Sequence, residues 1–469
     1  MESRIETQGP LQGLSNLSHN WGGVYHSTNF ISQTLEVAGT LVANTLKLSS
    51  PKILTILCDE VFSGGWAILV TIEAQSMAVL DIQLLDKALT AAAWEERFEL
   101  LAQNNVVIGE IIKDQGVAMQ SATGVLPHST VVIADAFHAI PKRLGTYHSQ
   151  LTRQINNCLT QEAKIIAKIA GAASEKMRHK QQAKLEVVRT KKAQLIDLLD
   201  WFQQAYFLLL SQLRPFTSKG IPRDKQVAEQ HIEFALDVLE LLPLNDITKN
   251  VKHIRKLLQS GELLSFMDKV PALYEAWTTK LGTNTSWLWM LYWLWWKKSS
   301  QTHSAKVQTK AKEEALAAEE LLKEYYGDKP IYFEKTRVEL FAALDTIVQA
   351  SSLVETFNSI LKPFINSSRG QLTQSMLNLV MFFHNHRVFH KRCKRGGKAP
   401  IEILTGCRLD KHWLDLLMDN IHAAFVKHQT TSLKQLHRIV CNKKSGQQKA
   451  KVRPLEDHHS GDDLVTMVA

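Results

Sequence analysis

The stretch ILTILCDE at residues 53–60 is apolar and rich in β-branched residues, and it ends in two acids. Such a run predicts a short β-strand with acidic side chains at its carboxyl end. The turn-forming residues SGG at 63–65 follow it, and AILVTIEA at 67–74 is a second strand-like run. VLDIQLLD at 79–86 then alternates apolar and polar residues. Together these runs predict a meander of three strands.

The next part of the chain alternates between helix and strand. Residues 88–103 have helical periodicity, with their large apolar side chains on one face. VVIGEIIKD at 106–114 and TVVIADAF at 130–137 are two further strand-like runs, separated by a stretch that permits a short helix. A meander followed by βαβ units predicts an α/β core, in which helices pack on a mixed sheet.

From residue 139 onward the sequence indicates helices only, with breaks at Pro215 and Pro363, and it ends in a polar tail. At 469 residues the chain is long enough for two or three domains. We divide it into an N-terminal helical remnant (1–50), the first part of the α/β core (51–138), an all-helical insertion (139–349), the second part of the core (350–410), and a C-terminal helical segment with its tail (411–469).

Composition excludes several classes of protein. The apolar fraction of 45% is ordinary for a folded protein, and the net charge of +9 weakly favours a polyanionic partner. The five cysteines are odd in number and form no C-x-x-C pair, which argues against a zinc site or a disulfide framework. The aromatic run WLWMLYWLWW at 287–296 is about half the length that a membrane helix needs, so we expect a buried helix there rather than an interfacial one.

Three acids stand where a metal-dependent nuclease core needs them. Asp59 is predicted to end the first strand and Asp114 the fourth, and open α/β sheets bind ligands at the carboxyl ends of strands. Neighbouring carboxylates suit Mg²⁺ or Mn²⁺, and two such ions can serve the attacking and the leaving oxygen. The third acid must come from elsewhere, and Glu355, at the start of a predicted helix, is the candidate.

Several blocks of this sequence together resemble a bacterial insertion-sequence transposase family with a DDE triad. ILCDEVFSGGWAILVTIE is similar to the first catalytic strand and hairpin of that family, IIKDQG to its second Asp block, and VVIADAFHAI to the element that follows. ASSLVETFNSILKPFINSSRGQL resembles the helix with the catalytic Glu, FFHNHRVFHKRCKRGGKAPIEILTG the basic segment after it, and HWLDLL the end of the core. The similar blocks cover about 55–140 and 350–417, in the same order as in the family.

The resemblance implies an RNase H-like mixed sheet with flanking helices, interrupted by the helical insertion. It implies that Asp59, Asp114 and Glu355 hold two Mg²⁺ or Mn²⁺ ions and catalyse DNA cleavage and strand transfer. The partners implied are the transposon ends and the target DNA, bound by a homo-oligomer in the bacterial cytoplasm and without a membrane. Asp135 competes with Asp114 for the second metal position, and we favour Asp114 because it follows the strand expected beside the first. His138 either belongs to the site or caps the adjoining helix.

Basic residues near the Glu helix are predicted to contact DNA phosphates. Lys362 lies two helical turns after Glu355, on the same face of the helix. The basic segment supplies further candidates: Arg387, Lys391, Arg392, Lys394, Arg395 and Lys398. Residues 164–192 of the insertion are also densely positive, and they form either a second DNA contact or a solvated helix face.

Two alternatives to an active transposase stay open at this point. A nuclease of the same fold would hydrolyse nucleic acid with the same triad and without strand transfer, whereas a DNA-binding remnant would need no metal. Only 58 residues precede Asp59, fewer than the family's DNA-binding domain needs. We therefore expect that the domain recognising the transposon ends is missing from this copy.

Overall fold

The strands of the protein form a five-stranded sheet within the first third of the chain. The computed structural model describes residues 27–301, 304–327, 329–368, 372–391, 395–429 and 432–442. The strands are β1 (Lys52–Ser63), β2 (Trp66–Glu73), β3 (Val79–Leu84), β4 (Val106–Lys113) and β5 (Val131–Ala134), in the spatial order β3-β2-β1-β4-β5. The first three pair antiparallel, and β4 and β5 extend the sheet in parallel. The predicted mixed sheet is therefore confirmed.

The hairpin of β1 and β2 is longer than the sequence indicated. Asp59 was expected to end β1, but the strand continues to Ser63, and Asp59 pairs with Val70. The hairpin can extend this far because Gly64 and Gly65 adopt positive φ angles of 56° and 86° in the turn. The strand β4, which pairs with β1 in parallel, ends at Lys113, so β1 continues beyond the end of this partner. Asp59 thus lies inside a strand but at the end of its pairing with β4.

Helices lie around the sheet and fill most of the remaining chain. Three helices precede β5 and one follows it directly: α1 (Thr28–Thr40), α2 (Ala91–Gln103), α3 (Val117–Ala122) and then α4 (Ala136–Ala139). The helical region that follows contains α5 (Pro141–Ala170), α6 (Glu175–Gln212), α7 (Lys225–Glu240), α8 (Ile247–Gln259), α9 (Val270–Leu281), α10 (Thr283–Gln301), α11 (Ala305–Tyr326) and α12 (Pro330–Leu344). The last helices are α13 (Ser352–Ser367), α14 (Gln374–His386), α15 (Pro400–Thr405), α16 (Trp413–Lys427) and α17 (Leu433–Asn442).

The two faces of the sheet bury separate hydrophobic cores because side chains alternate along each strand. Ile56 and Cys58 of β1 pack with Trp94 of α2 on one face. Leu57 and Val61 face the opposite side, in a larger core that extends through α13 and the helical region. Neighbouring residues of β1 therefore present their side chains to different helices, on opposite faces of the sheet.

Between β5 and α13 the described residues contain no strand, in agreement with the helices expected there. Trp289 and Trp293 of α10 are buried, which confirms the buried helix expected for the aromatic run. Every helix in the described ranges is too short or too polar to cross a lipid bilayer. The prediction that the helix breaks at Pro363 was wrong, since α13 continues to Ser367. Buried Leu361 and Phe364 hold this helix to the core on both sides of the proline.

Candidate metal centre

Two of the three predicted acids lie side by side at the carboxyl edge of the sheet. Cys58 of β1 is the register partner of Lys113 of β4, and the next residues along the two parallel strands are Asp59 and Asp114. β4 ends at Lys113, so Asp114 is the first residue beyond the strand. The predicted convergence of these two carboxylates follows directly from the pairing of β1 with β4.

Glu60 joins these two acids from the other face of the sheet. Asp59 faces α13, whereas Glu60 faces α2, where its Oε1 accepts a hydrogen bond of 2.9 Å from Nε1 of Trp94. Because β4 has ended at this level, both side chains can reach Asp114 around the edge. One carboxylate oxygen from each of the three acids comes within 4.8 Å of the others.

Hydrogen bonds fix the orientation of Asp59 and Asp114. The side-chain amide of Asn358 on α13 donates to Oδ2 of Asp59 at 2.7 Å, and the backbone N–H of Glu60 donates to Oδ1 at 2.9 Å. The backbone N–H of Gly116 donates to Oδ1 of Asp114 at 2.8 Å. A Cβ atom at Gly116 would stand only 3.0 Å from that oxygen, so glycine leaves the close approach open.

The electrostatics of the cluster favour a bound cation. Burial, together with the charges of Glu355 and Asp114, raises the pKa of Asp59 to about 6, although the hydrogen bonds from Glu60 and Asn358 act in the opposite direction. Burial and the charge of Asp114 raise the pKa of Glu60 to about 7. Clustered carboxylate oxygens are the donors that Mg²⁺ and Mn²⁺ prefer. The residues present therefore fit a hard divalent cation.

Glu355 lies beside this cluster and not inside it. It is exposed in the first turn of α13, which packs against β1 and β2. Asn358, which holds Asp59, is one helical turn further along the same helix. The charge of Glu355 raises the pKa of Asp59, so the two carboxylates are close enough to interact electrostatically. Glu355 is not among the three acids whose oxygens come within 4.8 Å of one another.

Asp135 has a different role from the one considered for it. It is buried at the N-terminus of α4, where Oδ1 accepts hydrogen bonds from the backbone N–H groups of Phe137 and His138. Its Oδ2 accepts from the backbone N–H and the hydroxyl of Ser351 and lies 3.1 Å from Nδ1 of His138. These contacts occupy both oxygens and join β5 to the residue that precedes α13.

The ion pair of Asp135 and His138 predicts a pH-dependent stability. Burial raises the pKa of Asp135, but hydrogen bonds from His138 and Ser351 outweigh it and lower the pKa to about 2, from 3.8. The bond to Asp135 raises the pKa of His138 above 6.5. The contribution of Asp135 to the free energy of unfolding is complete above pH 3.8 and is lost as the pH falls through 2. The contribution of His138 is complete below pH 6.5 and is lost as the pH rises through the raised pKa of His138.

We therefore expect the pair to stabilise the fold most between about pH 4 and 6.5, by about 2 kcal/mol. Urea unfolding of the native protein and of His138→Gln across this range measures the effect. The difference between the two proteins should shrink above pH 6.5, as the imidazolium of the native protein loses its proton. A difference that stays constant from pH 5 to 9 would contradict the assignment.

The predicted DNA-binding residues differ in exposure. Lys362, Lys391 and Lys398 are exposed, whereas Arg392 and Lys394 lie outside the described residues. Half-buried Arg387 lies over the ring of Phe383, 5.1 Å from its centroid. Arg395 donates hydrogen bonds to the backbone carbonyls of Ala74 and Gln75, in the turn between β2 and β3. Its guanidinium group therefore has a structural role that its position in a basic segment did not indicate.

Glu60 and Asn358 are site residues that were not predicted from the sequence. The adjacent acids Asp59 and Glu60 were a usable signal, but strand alternation places neighbours on opposite faces, and the early end of β4 was not predicted. Asn358 follows Glu355 by three residues, so helical spacing alone places it on the same side of α13.

Comparison with known proteins gives no family for this chain. No protein-family model matches it, and no curated protein matches it significantly.

Proposed function

We propose that this protein is a DDE-type transposase with an RNase H-like core, which cuts DNA and joins the cut strand to a target. The observation that carries the proposal is the meeting of Asp59 and Asp114 at the point where the parallel strands β1 and β4 stop pairing, beside the helix that carries Glu355. The strand order, a three-stranded meander followed by two parallel strands, supports an RNase H-like sheet. The helical region between β5 and α13 is then an insertion into that core.

In this proposal the site would hold two Mg²⁺ or Mn²⁺ ions, which when bound would stabilise the negative charge on the attacking and the departing oxygen in strand transfer. Asp59 and Asp114 supply ligands from the sheet, and Asn358 keeps Asp59 in one orientation. Glu355 supplies a ligand from the exposed side of the cluster, where substrate DNA enters. Exposed Lys362, Lys391 and Lys398 contact DNA phosphates around the site. The active form is a homo-oligomer on DNA in the cytoplasm.

A strand-transfer assay tests the proposed function. The substrates are labelled duplexes taken from the DNA that flanks the gene, incubated with the protein, a target plasmid and Mn²⁺. We expect cleavage at the element's ends and covalent joining of the cut strand to the plasmid, both abolished by EDTA. Hydrolysis without joined products would identify a nuclease instead. Binding without any metal-dependent cleavage would identify a DNA-binding remnant.

Glu60 and Glu355 should affect metal use differently. Glu60 accepts a hydrogen bond from Trp94 and supports the Asp59–Asp114 cluster. We therefore expect Glu60→Gln to weaken Mn²⁺ binding by about tenfold, with cleavage restored at high Mn²⁺. Glu355→Gln should lower the cleavage rate by at least about a hundredfold at every Mn²⁺ concentration, because it removes a ligand of the reacting centre. Calorimetric Mn²⁺ titration and cleavage assays measure both effects, and the reverse pattern would exchange the two roles.

A further inference from the structure

Helices α5 and α6 form an antiparallel hairpin that projects from the helical region. Residues 171–174 connect them, and Nε2 of Gln203 lies 2.7 Å from Nε2 of His148 across the pair. Nearer the tip, Glu162 accepts hydrogen bonds from Arg189 and Lys192. The part of the hairpin from about residue 150 to 200 spans roughly 30 Å, at about 1.5 Å per residue. We call this part the arm.

The arm is attached to the rest of the protein at its base. The hydroxyl of Tyr147 donates a 2.8 Å hydrogen bond to the carbonyl of Asn245, and Phe202 and Leu209 of α6 are buried in the main core. Towards the tip the side chains become mostly exposed, apart from a narrow seam that includes Leu185 and Leu195. The packed base fixes the direction of the arm, and its outer part presents its surface to solvent.

Lysines follow one side of α6 along the arm. A turn of about 100° per residue places four of them within an arc of about 80°: Lys176, Lys180, Lys184 and Lys191. All four are exposed, and this arc lies beside the seam that faces α5. The acids Glu175 and Glu186 of this helix fall outside the arc, as the same rotation shows. The charged residues of the stripe are therefore all cationic, and the exposed side chain of Val187 lies among them.

Two lysines of α5 lie on the same side of the arm. Lys164 and Lys168 are one turn apart and about 100–140° from the face of α5 that packs on α6. On both helices the lysines are rotated in the same sense from the face that packs on the partner helix. In an antiparallel pair of right-handed helices, the same sense of rotation leads to the same side of the hairpin, so the α5 lysines lie on the side that carries the α6 stripe. The ion pairs of Glu162 with Arg189 and Lys192 set the register, which brings Lys164 and Lys168 alongside residues 183–187.

The opposite side of the arm has a different character. Leu159 and Ile166 of α5 are 48% and 46% exposed, and helical rotation places both away from the lysines. A helix pair whose charge served only for solubility would distribute its lysines over all its exposed faces. Here six exposed lysines share one side, and none of the six forms an ion pair with a described residue. On the other side Arg189 pairs with Glu162, and Arg178 is exposed. Most of the unpaired positive charge of the arm therefore lies on one side.

We propose that this side of the arm is a second DNA-binding surface, which holds duplex DNA by its phosphates at a distance from the metal centre. The α6 stripe spans about 22 Å, over which duplex DNA carries about 13 phosphate charges. Lysines bind phosphates as point charges and do not read bases, so the contact is independent of sequence. The choice of duplex DNA as the polyanion rests on the proposed function. The surface itself needs neither metal nor catalysis.

The test is equilibrium binding of the full chain to labelled duplex DNA in EDTA, so that no cleavage is involved. The variant is Lys176→Gln, Lys180→Gln, Lys184→Gln and Lys191→Gln together. Its matched control carries the same charge change at exposed lysines away from the arm: Lys249→Gln, Lys306→Gln, Lys310→Gln and Lys312→Gln. Thermal unfolding establishes that both variants fold like the native protein.

We expect the arm variant to bind duplex DNA at least tenfold more weakly at about 0.1 M salt, whatever the DNA sequence. The slope of log K against log[salt] should fall in magnitude by about 3–4, because about four phosphate contacts are lost. Equal effects of the arm variant and the control would overturn the proposal. So would an arm variant that loses affinity for RNA but not for duplex DNA. If the native protein binds DNA more tightly than the arm variant but never cleaves DNA, the proposed function is refuted and the proposal for the arm is not.

Discussion

We expect that replacing Asp59 by Asn will lower the rate of the proposed metal-dependent DNA cleavage by at least about a thousandfold and leave the affinity for DNA nearly unchanged. Asp59 is the acid at which the site converges: it neighbours Asp114 across the β1–β4 pairing, and Asn358 of the Glu355 helix holds its Oδ2. Losing one charged ligand removes stabilisation of the reacting oxygens that amounts to several kcal/mol. The basic surfaces that we propose to supply the affinity for DNA are unchanged in this variant.

Single-turnover cleavage and DNA binding should both be measured for Asp59→Asn and for Asp114→Asn, which we expect to behave alike. Asp86→Asn is the control, because Asp86 is an exposed aspartate close in sequence and outside the cluster. The asparagine variants keep the size of the side chain, so altered folding is a small concern. Cleavage that continues in Asp59→Asn, or in the native protein with EDTA, would rule out the mechanism.

Replacing Asp135 by Ala lowers the free energy of unfolding by about 3–5 kcal/mol, the range for breaking a buried ion pair. The change leaves the N–H groups at the start of α4 and the backbone N–H of Ser351 without their acceptor. It also leaves His138 without the carboxylate that favours its charged form. Because Ser351 directly precedes α13, the loss should also loosen the helix that carries Glu355 and Asn358.

Urea unfolding measures this effect, and Ser351→Ala is the matched control. It removes only the hydroxyl and keeps the backbone N–H bond to Asp135, so we expect a loss of about 1 kcal/mol. Cleavage by the folded fraction of Asp135→Ala should fall as well, though less than in Asp59→Asn. A loss of stability no larger than that of Ser351→Ala would show that Asp135 does not anchor α13.

Local sequence signals were sufficient to predict the sheet. The apolar runs from 53 to 137 lie between turn formers or helices, and each became a strand with few changes at its ends. Pairing of β1 with β4 was expected from the RNase H-like strand order that the resemblance implies, and it brings Asp59 to Asp114. The length of the β1–β2 hairpin could not be predicted, because it depends on a turn closed by Gly64 and Gly65 and not on the apolar pattern.

Tertiary contacts explain what the sequence did not reveal. Glu60 reaches the cluster only because β4 ends at Lys113, and this makes the edge accessible from both faces. The contacts of Asp135 with Ser351, and of Arg395 with the β2–β3 turn, join segments more than 200 residues apart. Such pairs leave no periodic signal in a single sequence. The same is true of the shared cationic side of α5 and α6, which appears only once their antiparallel register is known.

The order in which the chain is synthesised has a consequence for when the protein can act. Every strand of the described sheet emerges from the ribosome by Ala134, but Glu355 and Asn358 follow only about 220 residues later. At about 5–20 residues per second, that interval lasts roughly 10–40 s. During this time the nascent chain has Asp59 and Asp114 but not the helix that orients Asp59. If the protein has the proposed function, a partly synthesised chain would be unable to cut the DNA near which it is made, and cleavage would begin only with a nearly finished chain.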